Sequence, residues 1–167
     1  MKRTLAFLLS ALLCGCGPAF SPDLLLKCDD LMLPPTQGLN GPNPPQVGGG
    51  ANTSRDSHWS GKLLLVNMPR TPMEHARPHP AMQALDPSLK AGSDDEVGAV
   101  GFVLQSSSLN RGAPGGTGYL LVTLVDWKTR VNLGTYVIKS WKNNAPEQKD
   151  FEGAYPDLAK KLKDLHR

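Results

Sequence analysis

The chain has 167 residues, 18 Lys+Arg against 15 Asp+Glu, and a formal net charge of +3. That near balance forms no basic stripe and argues against a nucleic-acid binder. The length suits one modest domain with a leader and a linker.

The N-terminus reads as a targeting segment. Met1-Lys2-Arg3 is basic, Leu5 to Leu13 is a short apolar run, and Leu13-Cys14-Gly15-Cys16 closes it with small residues. This basic, apolar, small order is that of a secretory signal peptide. A bilayer core of about 30 Å needs roughly 20 apolar residues, so the run is too short for a permanent span. The Leu-x-Gly-Cys ending resembles the lipobox of bacterial lipoproteins. The resemblance implies cleavage before Cys16 and acylation of its thiol. Gly17, rather than Asp, follows Cys16, and within that resemblance this favours the outer membrane. The alternative is an ordinary secretory cleavage near Gly17-Pro18-Ala19, where Pro18 makes a poor site.

Cleavage before Cys16 leaves 152 residues and removes Lys2 and Arg3, so the mature chain holds 16 basic against 15 acidic residues. Of the three cysteines, Cys14 leaves with the leader, Cys16 takes lipid, and Cys28 remains alone without an internal disulfide partner. Its setting, Leu24-Leu25-Leu26-Lys27-Cys28, favours burial over pairing between chains.

Residues 17–61 carry Pro34-Pro35, Gly41-Pro42-Asn43-Pro44-Pro45 and Gly48-Gly49-Gly50. Such punctuation offers little apolar surface against the entropy of ordering, and reads as a tether. The exception is Pro22 to Leu33, whose leucines suit a helical turn or packing on the domain. The expected organisation is a signal peptide at 1–15, a lipidated N-terminus and tether at 16–61, and an α+β domain at 62–167.

Lys62 to Asn67 is the first expected strand. Prolines at 69, 72, 78, 80 and 87 then forbid a long helix, leaving at most one turn at Ala81 to Leu85. The acidic Asp94-Asp95-Glu96 precedes a second strand, Val97 to Gln105, where Gly98 and Gly101 suit close backbone approach or a bulge. A polar loop, Ser106 to Gly118, leads to the most regular strand, Tyr119 to Asp126, apolar on both faces and thus suited to a central position. Trp127-Lys128-Thr129-Arg130 is turn-like and Val131 to Ser140 returns, making a β-hairpin. At the C-terminus, Pro156 suits a first helical turn, and Leu158, Leu162 and Leu165 form one stripe. The fold class expected is a small, mainly antiparallel sheet of about four strands with helical cover.

Chemistry-bearing motifs are weak. Gly61-Lys62 fails as a phosphate loop, because Asp56 stands where a Gly is required and Leu63 follows the Lys. The Ser106–Gly118 loop with Arg111 reads as a solvated connection rather than an anion cradle. His75 and His79 have a helical metal spacing, but Pro78 and Pro80 break the helix that would align them. There is no Gly-x-Ser-x-Gly elbow. The expectation is therefore no enzyme, cofactor or metal; a tethered hydrolase or metal-dependent enzyme is the alternative. Trp127 at the turn tip is the candidate partner contact, whereas Tyr136 is expected to pack. Asn52-Thr53-Ser54 fits a glycosylation sequon that a bacterial setting makes incidental.

Leu124-Val125-Asp126-Trp127-Lys128-Thr129 resembles the Leu-Val-Asp-x-Lys-Thr-Gly hairpin of small envelope domains. These include TolB-like proteins and outer-membrane lipoproteins that activate penicillin-binding proteins. Arg130 departs from the usual Gly at a left-handed turn position. The resemblance implies a compact envelope domain with a protein or cell-wall partner, offers activation of a cell-wall synthesis enzyme as a further alternative, and carries no functional residue across.

Overall fold

The computed structural model describes residues 20–31, 59–68, 74–108, 117–142 and 145–166. Four strands, β1 (Lys62–Asn67), β2 (Val97–Ser108), β3 (Thr117–Asp126) and β4 (Asn132–Trp141), form one sheet in sequence order. β1 pairs parallel to β2, and the other two pairings are antiparallel. The fold is a small α+β fold with a mixed, mostly antiparallel sheet, as the strand pattern predicts.

A parallel pair needs a crossover, and residues 68–96 supply it. Prolines keep this segment from a long helix. It instead makes short 3₁₀ turns at Pro80–Ala84 and Asp94–Glu96. It also seals the outer edge of β1. His79 N donates to Leu65 O (2.8 Å), Asn67 N to Arg77 O (2.9 Å), Leu63 N to Leu89 O (2.7 Å) and Ala91 N to Leu63 O (3.0 Å). An edge strand of apolar residues is thereby closed to further pairing.

β3 occupies the expected central place. Leu120, Val122 and Leu124 lie on one face, Leu121, Thr123 and Val125 on the other, and none exceeds 2% exposure. Burial on both faces explains why the strand lacks the polar alternation of a surface sheet. Its one buried polar side chain is satisfied across the hairpin, Thr123 Oγ1 to Thr135 Oγ1 at 2.9 Å.

Among the described residues three helices accompany the sheet: α1 (Pro22–Asp29), α2 (Gln148–Glu152) and α3 (Tyr155–Leu165). α3 buries Tyr155, Leu158 and Leu162, with Leu165 packed against the core. It lies on the face of Leu120 and Val122. There Tyr155 reaches Gln105, the residue opposite Leu120, and Lys161 covers the Tyr136 ring opposite Val122. α2, which the sequence pattern does not reveal, presents Phe151 edge-on to Trp141 at 5.1 Å.

α1 changes the organisation expected for 16–61. Ser21 caps it, accepting from Leu24 N at 3.1 Å, and Pro22 occupies the first turn. Its buried Leu24 and Cys28 belong to the same core cluster as the sheet residues, and Trp59 joins them. The helix allowed for within Pro22 to Leu33 is thus an integral part of the domain. Residues 32–58, which carry the Pro/Gly-rich tether reading, lie outside the described residues.

Candidate functional site

Cys16, the expected lipidation site, lies outside the described residues, as do Asn52 and Arg111. The fold nevertheless defines where the chain from Cys16 enters. Ser21 donates from its N–H to Asp94 Oδ1 at 3.1 Å and from its hydroxyl to Asp94 Oδ2. At the other end of α1, Asp29 accepts from Ala76 N (2.7 Å) and pairs with His75 Nδ1 (2.9 Å). The helix is therefore held at both ends by side chains from the β1–β2 crossover.

Asp94 belongs to the turn just before β2. Because β1 and β2 are parallel, Lys62 begins at this same end of the sheet. β3 finishes there and β4 starts there, with Ala99 opposite Asp126 and Val125 opposite Asn132. The β3–β4 turn is bonded to it directly, Trp127 N donating to Gly98 O at 2.9 Å. One end of the sheet thus gathers the entry of the chain, the acidic turn and the hairpin tip.

The hairpin turn is built by Asp126. Its Oδ1 accepts from Thr129 N (2.7 Å) and Thr129 Oγ1 (2.8 Å), while its carbonyl accepts from Arg130 N (2.9 Å). An Asp side chain that binds the following backbone stabilises a tight reversal. Arg130 closes the turn at φ 61, the left-handed region that favours glycine. Its guanidinium lies 4.2 Å from the Trp127 ring centroid, a cation–π arrangement. Trp127, the candidate contact residue, is half-buried against the core, while Lys128, Thr129 and Arg130 are exposed.

The remaining candidates separate. His75 is exposed on the Asp29 pair. His79, four residues on, is 2% exposed and turned into the core. Asp95 accepts from Ser93 (2.6 Å), while Glu96 pairs with Lys62 (2.6 Å) and accepts from Gly92 N (2.6 Å). These bonds hold the Asp95 and Glu96 carboxyls below the ordinary carboxylate range. Each acid is committed to a local partner, and among the described residues no three His, Cys, Asp or Glu side chains converge as a metal site would require.

Cys28 is fully buried, and desolvation, with Asp29 adding to it, pushes its thiol up to about 12. A thiol so protonated is a poor nucleophile.

A buried polar cluster escapes sequence reasoning. His79 Nδ1 accepts from Ala81 N at 3.1 Å, so the neutral ring carries its proton on Nε2. The Gln105 side-chain amide stands 3.2 Å from that nitrogen and 2.9 Å from the Tyr155 hydroxyl. The amide nitrogen donates to the Tyr155 hydroxyl, a bond that ties β2 to α3. Burial lowers the His79 imidazole to about 4 and raises the Tyr155 phenol. Fifty residues separate Gln105 from Tyr155, and no local pattern marks them as neighbours. The cluster is enclosed by the 3₁₀ turn, β2 and α3, and its geometry serves to join them.

Among the described residues no helix is long and apolar enough to cross a membrane. Comparison with protein families, curated proteins and solved structures finds no match.

Proposed function

We propose that the chain is a bacterial envelope lipoprotein, anchored through acyl chains on Cys16, with a non-catalytic binding or structural role. The observation that carries this reading is the Leu13-Cys14-Gly15-Cys16 ending of a short apolar leader. Each buried methylene contributes about 0.8 kcal/mol, so two or more chains on one Cys hold a domain stably without a spanning helix. Gly17 beside that Cys favours the outer membrane.

The disposition of reactive side chains supports the non-catalytic part. Cys28 is a buried thiol, His79 a buried neutral imidazole, and Asp94, Asp95 and Glu96 are engaged by neighbours. The partner in this reading is the membrane itself, together with an envelope protein or cell-wall component.

The test is fractionation of expressing bacteria. Wild type pellets with membranes and enters the detergent phase on two-phase extraction. Cys16→Ala moves to the soluble fraction or accumulates uncleaved. Equal partitioning of the two chains, both processed, would overturn the assignment.

A further inference from the structure

The position of α1 converts the anchoring reading into a statement about orientation. If residues 17–61 were spacer, 45 flexible residues would give an r.m.s. reach of about 35–40 Å, letting the domain roam. The chain does not have that freedom. Ser21 is bonded to Asp94 through both its N–H and its hydroxyl, and the helix it caps is built into the core. From Cys16 to Ser21 there are five residue steps. Whatever their conformation, they span at most about 18 Å.

The end of the sheet to which this short span leads is also defined. Asp94 lies three residues before β2, and the Trp127–Arg130 turn is bonded to Gly98 just inside that strand. The opposite end, where Ser107 faces Gly118 and Gly118 faces Trp141, is a full strand away. A ten-residue strand is about 33 Å long, more than the span from Cys16 can cover.

The chemistry at the near end fits a lipid surface. Trp127, half-buried against the core with Arg130 over its ring, is of the residue type enriched where headgroups meet acyl chains. Lys128 and Arg130 are exposed cations on the same turn. Carboxylates share this end: Asp94, Asp95, Glu96 and Asp126 bind Ser21, Ser93, Lys62 and Thr129, and Asp23 and Asp95 are exposed, so it is the short span from Cys16, more than net charge, that sets which end meets the bilayer.

Resting on the lipoprotein reading, we propose that the acylated chain holds this end of its sheet against the membrane. Trp127, Lys128 and Arg130 then meet phospholipid headgroups, and the Ser107–Gly118 and Trp141 end points away. The described α+β domain sits on the bilayer, and the surface left for a soluble partner is the far end.

The experiment uses the full acylated chain, purified from membranes and reconstituted into phosphatidylethanolamine–phosphatidylglycerol vesicles with a quencher on the headgroups. Cys16 is blocked by lipid and Cys28 is buried, so a fluorophore attaches to an introduced surface Cys. Lys128→Cys marks the near end and Ser140→Cys the far end, both at exposed positions. Several-fold stronger quenching at 128 than at 140 is expected. Inserting a twenty-residue Gly/Ser spacer after Gly17 should abolish that difference. Equal quenching at both sites in an acylated, vesicle-bound chain would overturn the orientation, as would a difference that survives the spacer. A purified chain whose mass shows no acyl groups would instead overturn the anchoring reading, so the two failures are distinct.

Discussion

Arg130 stacks its guanidinium 4.2 Å from the Trp127 ring centroid while its own backbone sits at φ 61. The two facts oppose each other energetically. A left-handed conformation costs a residue with a Cβ about 1–2 kcal/mol, and an exposed cation–π contact returns roughly 0.5–1 kcal/mol. Arg130→Ala discards the contact and keeps the strain, so urea unfolding should show a loss of about 0.5–1 kcal/mol. Arg130→Gly discards both and should be the more stable of the two variants. An Ala variant as stable as the Gly variant would show that neither backbone strain nor stacking governs this turn.

Gly98 is required by close approach. A Cβ there would overlap the Ser60 carbonyl, which is backbone and cannot swing aside. At Gly92 a Cβ would meet only the Glu96 carboxylate at 3.2 Å, a side-chain end bonded to Lys62 and Gly92 N that needs to give by only a few tenths of an ångström. Gly98→Ala is therefore expected to cost about 2 kcal/mol or more, as overpacking does, and Gly92→Ala well under 1 kcal/mol. Thermal denaturation of the two side by side checks the contrast.

His79 makes stability depend on acid. Its folded imidazole is lowered to about 4 from an ordinary 6.5 by burial. The unfolded chain therefore takes up a proton first as pH falls. The contribution is fully present above pH 6.5 and is lost progressively as the pH drops through the folded value near 4. The loss attributable to this group approaches roughly 3 kcal/mol. Unfolding free energies across that window should fall less steeply in His79→Asn, whose side-chain oxygen can still accept from Ala81 N. Parallel pH profiles would remove His79 as the source.

The hairpin and the C-terminal helix are legible because their signals are local. β3 alternates over one continuous run, Asp126 to Arg130 has turn chemistry, and Leu158 and Leu162 repeat at helical spacing. What sequence reasoning misses depends on distant contacts. A helical turn or packing segment within Pro22 to Leu33 is legible, but how it attaches depends on Asp94 and Ala76, more than forty residues away. The parallel pairing of β1 with β2 depends on a crossover that has no helical period. His79, Gln105 and Tyr155 come from three elements, and the first of them carries a metal-compatible spacing that burial turns to another use. Arg130 occupies a left-handed turn position that favours glycine, a conformation its residue type does not signal.

Cys28 should be chemically silent in the folded chain. Its thiol is buried and pushed up to about 12, so maleimide at neutral pH should label it only after denaturation, as intact mass will show. Cys28→Ser places a more polar hydroxyl in the same enclosed position and should cost about 1–3 kcal/mol, whereas the thiol needs no strong partner. Rapid native labelling would mean that α1 leaves the core readily.

The central claim is that Cys16 is the acylated N-terminus of the mature protein. The most direct measurement is the intact mass and N-terminal peptide mass of the chain extracted from bacterial membranes. The account predicts a chain beginning at Cys16 and carrying a diacylglyceryl thioether. A chain that begins elsewhere, or that begins at Cys16 with a free thiol, would contradict it.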